Sequence, residues 1–268
     1  MNNHLALASI FYPDSSPARW KAAAAAGFQD AEIDIIDNKA DTKTILADLE
    51  RSYEDLKAGG LAPTSLHLPF GADWDISAEA GDVRKNAQKE LLRLLQWAGD
   101  HQIGIAILHP SSEPIPEGCR AARLRYSTES IRLLGERSKK YGVTLAVEEL
   151  PRTCLGNCAD ELLQLIDHGN SAKVCFDVNH LLKESHREFV EKVGPYIITT
   201  HLSDYDRLDE KHWMPGDGCI DWKELKQLLD GVGYQGRYLF ELREDGSPKL
   251  GRPFTPKELA DRFFELTR

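Results

Sequence analysis

The chain has 268 residues, 41% of them hydrophobic and 28% charged, enough to bury a sizeable core and a normal length for one α/β barrel. Its 43 Asp and Glu outweigh 33 Lys and Arg, for a formal net charge of −10. That balance argues against a protein that tracks a phosphate backbone, because such binding rests on clustered basic residues.

Short β-rich runs alternate with helical segments, which predicts βα units on a parallel sheet. The first run is Leu5–Ile10, and the helix in ARWKAAAAAGF ends at Gly27. In the second run, AEIDI, Glu32 and Asp34 share one face and Ala31, Ile33 and Ile35 the other; the acids either line a barrel or sit at its bottom. A helix over Lys43–Ala58 leads to a third run, Thr64–Leu68, carrying His67. An amphipathic helix over Val83–Asp100 leads to a fourth, GIAILHP, carrying His109. A proline follows each of these histidines within two residues and stops the strand.

The segment SSEPIPEGCRAARLR reads as a long loop or lid with Arg120 and Arg123, ahead of a helix over Ser127–Tyr141. The fifth run is TLAVEELP, where Glu148 and Glu149 adjoin and only one can face inward. The sixth is AKVCFDV, the seventh YIITTHL and the eighth RYLFEL, with Glu241 near its end; a helix over Pro256–Leu266 closes the chain. Eight strands with their helices predict a (β/α)₈ TIM barrel spanning residues 1–268 as a single domain. The doubly wound open sheet is the alternative, without a GxGxxG after the first strand to support it.

Polar residues end strands three to eight: His67, His109, Glu148, Asp177, His201 and Glu241. In a barrel those ends open on one face, so the side chains meet in one pocket. Between Lys173 and Gly218 lie Asp177, His180, His201, Asp204 and His212, all types that bind divalent metal. Each alone reads equally well as a cap or a satisfied core group; the two glutamates, the aspartate and the histidine among the strand-end residues make an oxygen-rich site suited to manganese, magnesium, cobalt or zinc. The cysteines, Cys119, Cys154, Cys158, Cys175 and Cys219, are odd in number and contain no CxxC, as expected of reduced thiols in the cytoplasm. No apolar stretch is long enough to span a bilayer, and the opening MNNHLALASIFYP lacks a leader's basic region. Arg152, Arg207 and Arg243 near strand ends read either as forks for a substrate anion or as surface charges. Trp74 and Trp213 read as core or lid packing, or as platforms for a sugar ring.

The segments AAAGFQDAEIDI, AVEELP, FDVNH, THLSD, HWMPGDGCIDW and GYQGRYLFEL resemble the xylose isomerase-like barrels. These are the superfamily of sugar phosphate isomerases and epimerases that also contains endonuclease IV. The resemblance implies that Glu148, Asp177, His201 and Glu241 hold one catalytic divalent metal, with no organic cofactor. Glu149 stands where the family usually has asparagine, and alignment through LP puts Glu148 at the ligand position. The resemblance further implies that His67, His109, His180 and His212 contact a sugar or polyol, and that Glu148 and Glu241 move the proton. A ketose bound to the metal through a hydroxyl and the neighbouring carbonyl has an acidified C–H and a stabilised enediolate. Isomerisation and epimerisation both follow from that chemistry.

Endonuclease IV is the rival within the same resemblance, because His67, His109, His180, Glu210 and His212 occupy the positions of its additional zinc ligands. The net acidity speaks against nucleic acid as a partner. An inosose or dehydroshikimate dehydratase would use the same intermediate, and a sugar- or metal-binding module is the non-enzyme alternative. A homo-oligomer is expected by resemblance only.

Overall fold

Each β-rich run becomes a short strand and each amphipathic segment a helix, in alternation along the chain. The computed structural model describes residues 4–12 and 14–268; residues 1–3 and Pro13, part of the stretch read for a leader, lie outside the described residues. The strands are β1 (Leu5–Ala8), β2 (Phe28–Asp34), β3 (Ala62–His67), β4 (Ile105–Leu108), β5 (Thr144–Glu148), β6 (Lys173–Asp177), β7 (Ile197–His201) and β8 (Tyr238–Phe240). The helices are α1 (Pro17–Ala25), α2 (Thr42–Ala58), α3 (Gly81–Asp100), α4 (Glu117–Ser138), α5 (Ala159–Leu165), α6 (His186–Val193), α7 (Trp222–Gly231) and α8 (Pro256–Leu266).

All eight strands are parallel neighbours in the order β7-β6-β5-β4-β3-β2-β1-β8. The ring closes where β8 returns beside β7: Leu202 N donates to Leu239 O at 2.8 Å, and Glu241 N to Leu202 O at 3.2 Å. The fold is therefore the expected (β/α)₈ TIM barrel. Side chains alternate along each strand and so make two separate cores. Leu7, Ile33, Leu66, Val147, Phe176 and Phe240 belong to the large apolar layer beneath the helices. Inside the barrel, small clusters of Ala6, Ala8 and Leu239, and of Ile107, Ala146 and Cys175, support the polar layer above them. No helix among the described residues is long and apolar enough to cross a membrane.

Two expectations change. The first strand stops at Ala8 and a single 3₁₀ turn covers Ser9–Phe11, because the Asp34 carboxylate takes hydrogen bonds from Ser9 Oγ and Ile10 N. The lid is much shorter than expected: α4 begins at Glu117, right after Pro116, and not at Ser127. Arg120 and Arg123 are thus helical. Arg120 forks onto Glu161 at 2.9 and 2.6 Å, and Arg123 pairs with the buried Asp75, so both fasten the helix to neighbouring loops. All five cysteines are free.

Candidate metal centre

His67, Glu148, Asp177 and His201 are the last residues of β3, β5, β6 and β7, while His109 and Glu241 follow β4 and β8 by one residue. All six occupy inward positions of the alternation, so they converge at the carboxyl end of the barrel. His67, His109, Glu148 and Glu241, with His180 and His212 from the following loops, line a cavity of about 350 Å³. Asp177 and His201 lie buried beside this layer.

Glu148, Asp177, His201 and Glu241 each offer one ligand atom, and these four atoms lie within 4.8 Å of one another. Three further groups satisfy the same limit: His67, His109 and Glu148; His67, His201 and Glu241; and His180, Glu210 and His212. Asp177 Oδ2 and Glu241 Oε2 are buried without a hydrogen-bond partner, the latter 3.2 Å from His201 Nδ1 but unaligned with it. Buried carboxylate oxygens left unsatisfied are costly, and a divalent cation among them would remove that cost. The residues present fit such an ion.

The histidines are aimed for this role. His67 Nδ1 donates to Leu68 O at 3.0 Å, His180 Nδ1 to Glu149 O at 3.0 Å, and His212 Nδ1 to Glu241 O at 3.1 Å. A carbonyl only accepts, so in each ring Nδ1 carries hydrogen; the Nε2 of His67 meets Glu148 at 3.2 Å and that of His180 meets Glu210 at 3.1 Å. His201 is turned the other way: Nε2 donates to Glu32 Oε1 at 2.8 Å, and Nδ1 faces Glu148 Oε1 at 3.3 Å. Glu148 also lies 3.2 Å from His67 Nε2 and 3.1 Å from His109 Nε2 through Oε2.

These contacts set the protonation states. Burial would raise the Glu148 pKa, but His201 and His109 hold it well below the carboxylate range. Glu241 is likewise held low, against burial, by His201 and His212. Burial would strip His67 of its proton, yet Glu148, Glu241 and Glu32 push its pKa up to about 9. His180 and His201 are raised well above the usual value against burial, by Asp177 and Glu210 for the first and by Glu241, Glu32 and Glu148 for the second. Burial, with Glu241 and Glu148 reinforcing it, brings Asp177 to about 7. Imidazolium protons therefore balance the carboxylate layer, a charge that a bound cation would take over.

Other residues sort differently from their sequence readings. Glu148 faces the cavity and its neighbour Glu149 does not; both Glu149 oxygens are buried without hydrogen bonds, and burial beside Asp177 keeps that acid protonated. Asp204, a metal type by composition, is a loop staple instead. Its Oδ1 accepts from Tyr205 N (2.9 Å) and Ile220 N (3.1 Å), and its Oδ2 from Gly216 N (2.8 Å) and Trp222 Nε1 (3.0 Å). Gly218 packs so tightly there that a Cβ would meet Tyr205 O at 2.1 Å, which explains the GDGxIDW segment. Arg152 closes the pocket mouth by pairing with Glu113 (2.5 Å), Asp209 (2.6 Å) and Glu210 (3.0 Å). Glu210 in turn lies 3.1 Å from His180 Nε2. Trp74 is buried and donates to Asn38 O, a packing role. Phe70, which stacks on His109 with ring centroids 4.3 Å apart, went unnoticed in the sequence; its place one residue beyond Pro69 was the signal available.

A family profile described as xylose isomerase-like TIM barrel matches residues 20–264. The sequence is 28% identical over 225 residues to D-psicose 3-epimerase of Ruminiclostridium cellulolyticum, covering 78% of this chain and 73% of that protein. It is 26% identical over 180 residues to the uncharacterized protein MJ1311 of Methanocaldococcus jannaschii, covering 64% of this chain and 61% of the relative's length. The solved structure of D-psicose 3-epimerase with D-tagatose from Clostridium cellulolyticum H10 superposes with a TM-score of 0.78 at 20% identity, over 99% of this chain and 98% of the other. That last likeness is one of fold.

Proposed function

The chain belongs to the xylose isomerase-like TIM barrel family, and we propose that within it the protein is a divalent-metal-dependent sugar isomerase or epimerase working by proton transfer. The observation that carries this reading is the convergence of Glu148, Asp177, His201 and Glu241 within 4.8 Å, with two buried carboxylate oxygens unsatisfied. A divalent cation held by these four would polarise a substrate carbonyl and acidify the adjacent C–H. Manganese, magnesium, cobalt and zinc all suit the donor set.

The chain's own residues supply the rest. Glu148 and Glu241 are ionised at neutral pH, as proton acceptors must be, and reach the pocket from different strands. Removal of a proton by one and its return by the other on the opposite face inverts a carbon. Transfer between neighbouring carbons by one group isomerises aldose and ketose. His212 orients a sugar hydroxyl through Nε2, since its Nδ1 is committed to Glu241 O, and His180, whose Nε2 lies 3.1 Å from Glu210, contacts the sugar together with that carboxylate. The relative named D-psicose 3-epimerase puts ketohexoses first among substrates to try.

The test is exchange of a carbon-bound proton next to the carbonyl, with the metal-loaded protein and a ketohexose panel in deuterated water. Glu241→Gln should slow that exchange by roughly 100- to 10,000-fold. Unchanged exchange would remove Glu241 from the chemistry, and a binding module would keep its function in the variant.

A second reading is favoured by one observation: nine ligand-type residues fall into four overlapping groups, each of which could hold an ion, as a multi-zinc phosphodiesterase would need. Against it, Arg152 and His180 already engage Glu210, and the net charge is −10. Elemental analysis decides between them. About one metal per chain supports the sugar enzyme, and about three zinc ions would put the phosphodiesterase first.

A further inference from the structure

A second cavity, of about 410 Å³, adjoins the one described above on its β1–β2 side. His67, Phe70 and Glu241 line both, so the two spaces meet at the proposed reaction centre. The second cavity is built on Asp34, which is 9% exposed. Its Oδ2 is fixed by Ser9 Oγ at 2.9 Å and Ile10 N at 3.1 Å, and its backbone N–H donates to Ser9 Oγ at 2.8 Å. Among the described residues Oδ1 receives no hydrogen bond. Asp34 is thus a rigidly held carboxyl whose Oδ1 opens on the cavity, where a ligand hydroxyl can replace solvent on it.

The walls point to the same ligand. Ile36 is 74% exposed and Phe70 42% exposed, two of the four large hydrophobic residues left in solvent among the described residues, and both line this cavity. Apolar surface beside a fixed hydrogen-bond acceptor suits the C–H face and hydroxyl rim of a sugar ring.

We propose that the β1–β2 cavity is a second sugar subsite, so that the substrate is a glycoside or disaccharide-sized ketosugar. One ring reacts at Glu148 and Glu241, and the other donates a hydroxyl to Asp34 Oδ1 across Ile36 and Phe70. The assignment of the reacting ring rests on the proton-transfer reading; the subsite is tested by binding.

The experiment is calorimetric titration of manganese-loaded protein with D-fructose and with three glucosyl-fructoses of different linkage, turanose, leucrose and isomaltulose. At least one disaccharide should bind about tenfold more tightly than fructose, about the worth of one hydrogen bond. Asp34→Asn, with its melting temperature checked, should bring that ratio close to one. Ile36→Trp alters an exposed position and should abolish the ratio by filling the cavity, which keeps the test decisive if Asp34→Asn does not fold. Three disaccharides binding no better than fructose, or a preference that survives both variants, would overturn the subsite. Deuterium exchange is read separately on the same sugars. Exchange on fructose without a disaccharide preference sinks the subsite and leaves the proton-transfer reading. An Asp34-dependent preference without exchange on any sugar supports the subsite and sinks the chemistry.

Discussion

Glu32 should control how tightly the centre holds metal, although it is not among the proposed ligands. His201 is fully buried, and its Nε2–H is fixed on Glu32 Oε1 at 2.8 Å, which leaves Nδ1 directed at Glu148 and Glu241. Carboxylate partners of this kind fix the tautomer of a ligating imidazole and raise its basicity. Glu32→Ala removes the acceptor and frees the ring to turn. The hydrogen bond to a charged group is worth about 1.5–3 kcal/mol, and loss of such a partner typically weakens metal binding about 10- to 100-fold. Glu32→Gln keeps an oxygen that can accept from Nε2, so it should recover part of the affinity; a purely packing role would be rescued by size alone, as in Glu32→Met. The assay is competition for manganese against a chromophoric chelator at fixed pH, beside thermal unfolding of each metal-free variant. A folded Glu32→Ala protein within about twofold of the wild-type affinity would refute the reasoning.

Metal affinity should rise with pH, because His67 (pKa about 9), Asp177 (about 7) and the strongly raised His201 carry protons that a cation competes with. Titration calorimetry in buffers of different ionisation heat would measure the protons released, and pH-independent affinity between about 6 and 9 would contradict the assignment. The metal-free protein should behave oppositely in stability. Folded His67 keeps its proton to about 9 whereas an unfolded histidine loses it near 6.5, so the folded form binds more protons in that window and is destabilised as pH rises through it. Melting temperatures should fall across that window without metal, and less with it. Gly218→Ala should cost about 1–3 kcal/mol by overpacking, read by denaturant unfolding, since the new Cβ would meet Tyr205 O and Asp204 Oδ1 at 2.1 and 2.3 Å. An unchanged unfolding midpoint would show that the β7–α7 loop yields freely.

The barrel and the six strand-end residues were legible in the chain because both depend on local periodicity. Alternation within a strand fixes which residues share a face, and a proline just past His67 and His109 fixes where two strands stop. In a parallel barrel those two facts already place His67, His109, Glu148, Asp177, His201 and Glu241 at one mouth. Local pattern could also mislead, as when GCRAARLR, following a proline-rich stretch, read as lid and proved to be the first turns of α4.

Partnership between particular atoms was decided only by tertiary structure. Asp204 and Asp177 are the same residue type at or just past a strand end, yet one is saturated by three loop amides and the indole of α7 while the other keeps a buried oxygen free. Glu32 and His201 are 169 residues apart, and Arg152 meets Glu210 across 58, so spacing in the sequence carries no trace of either pair. The sequence by itself determined the element types, the inward faces and the chemical types gathered at the pocket. The closure of β8 against β7 decided which donors meet which acceptors, because hydrogen bonds and charge pairing act over a few ångströms and only the closed ring brings these strands that near.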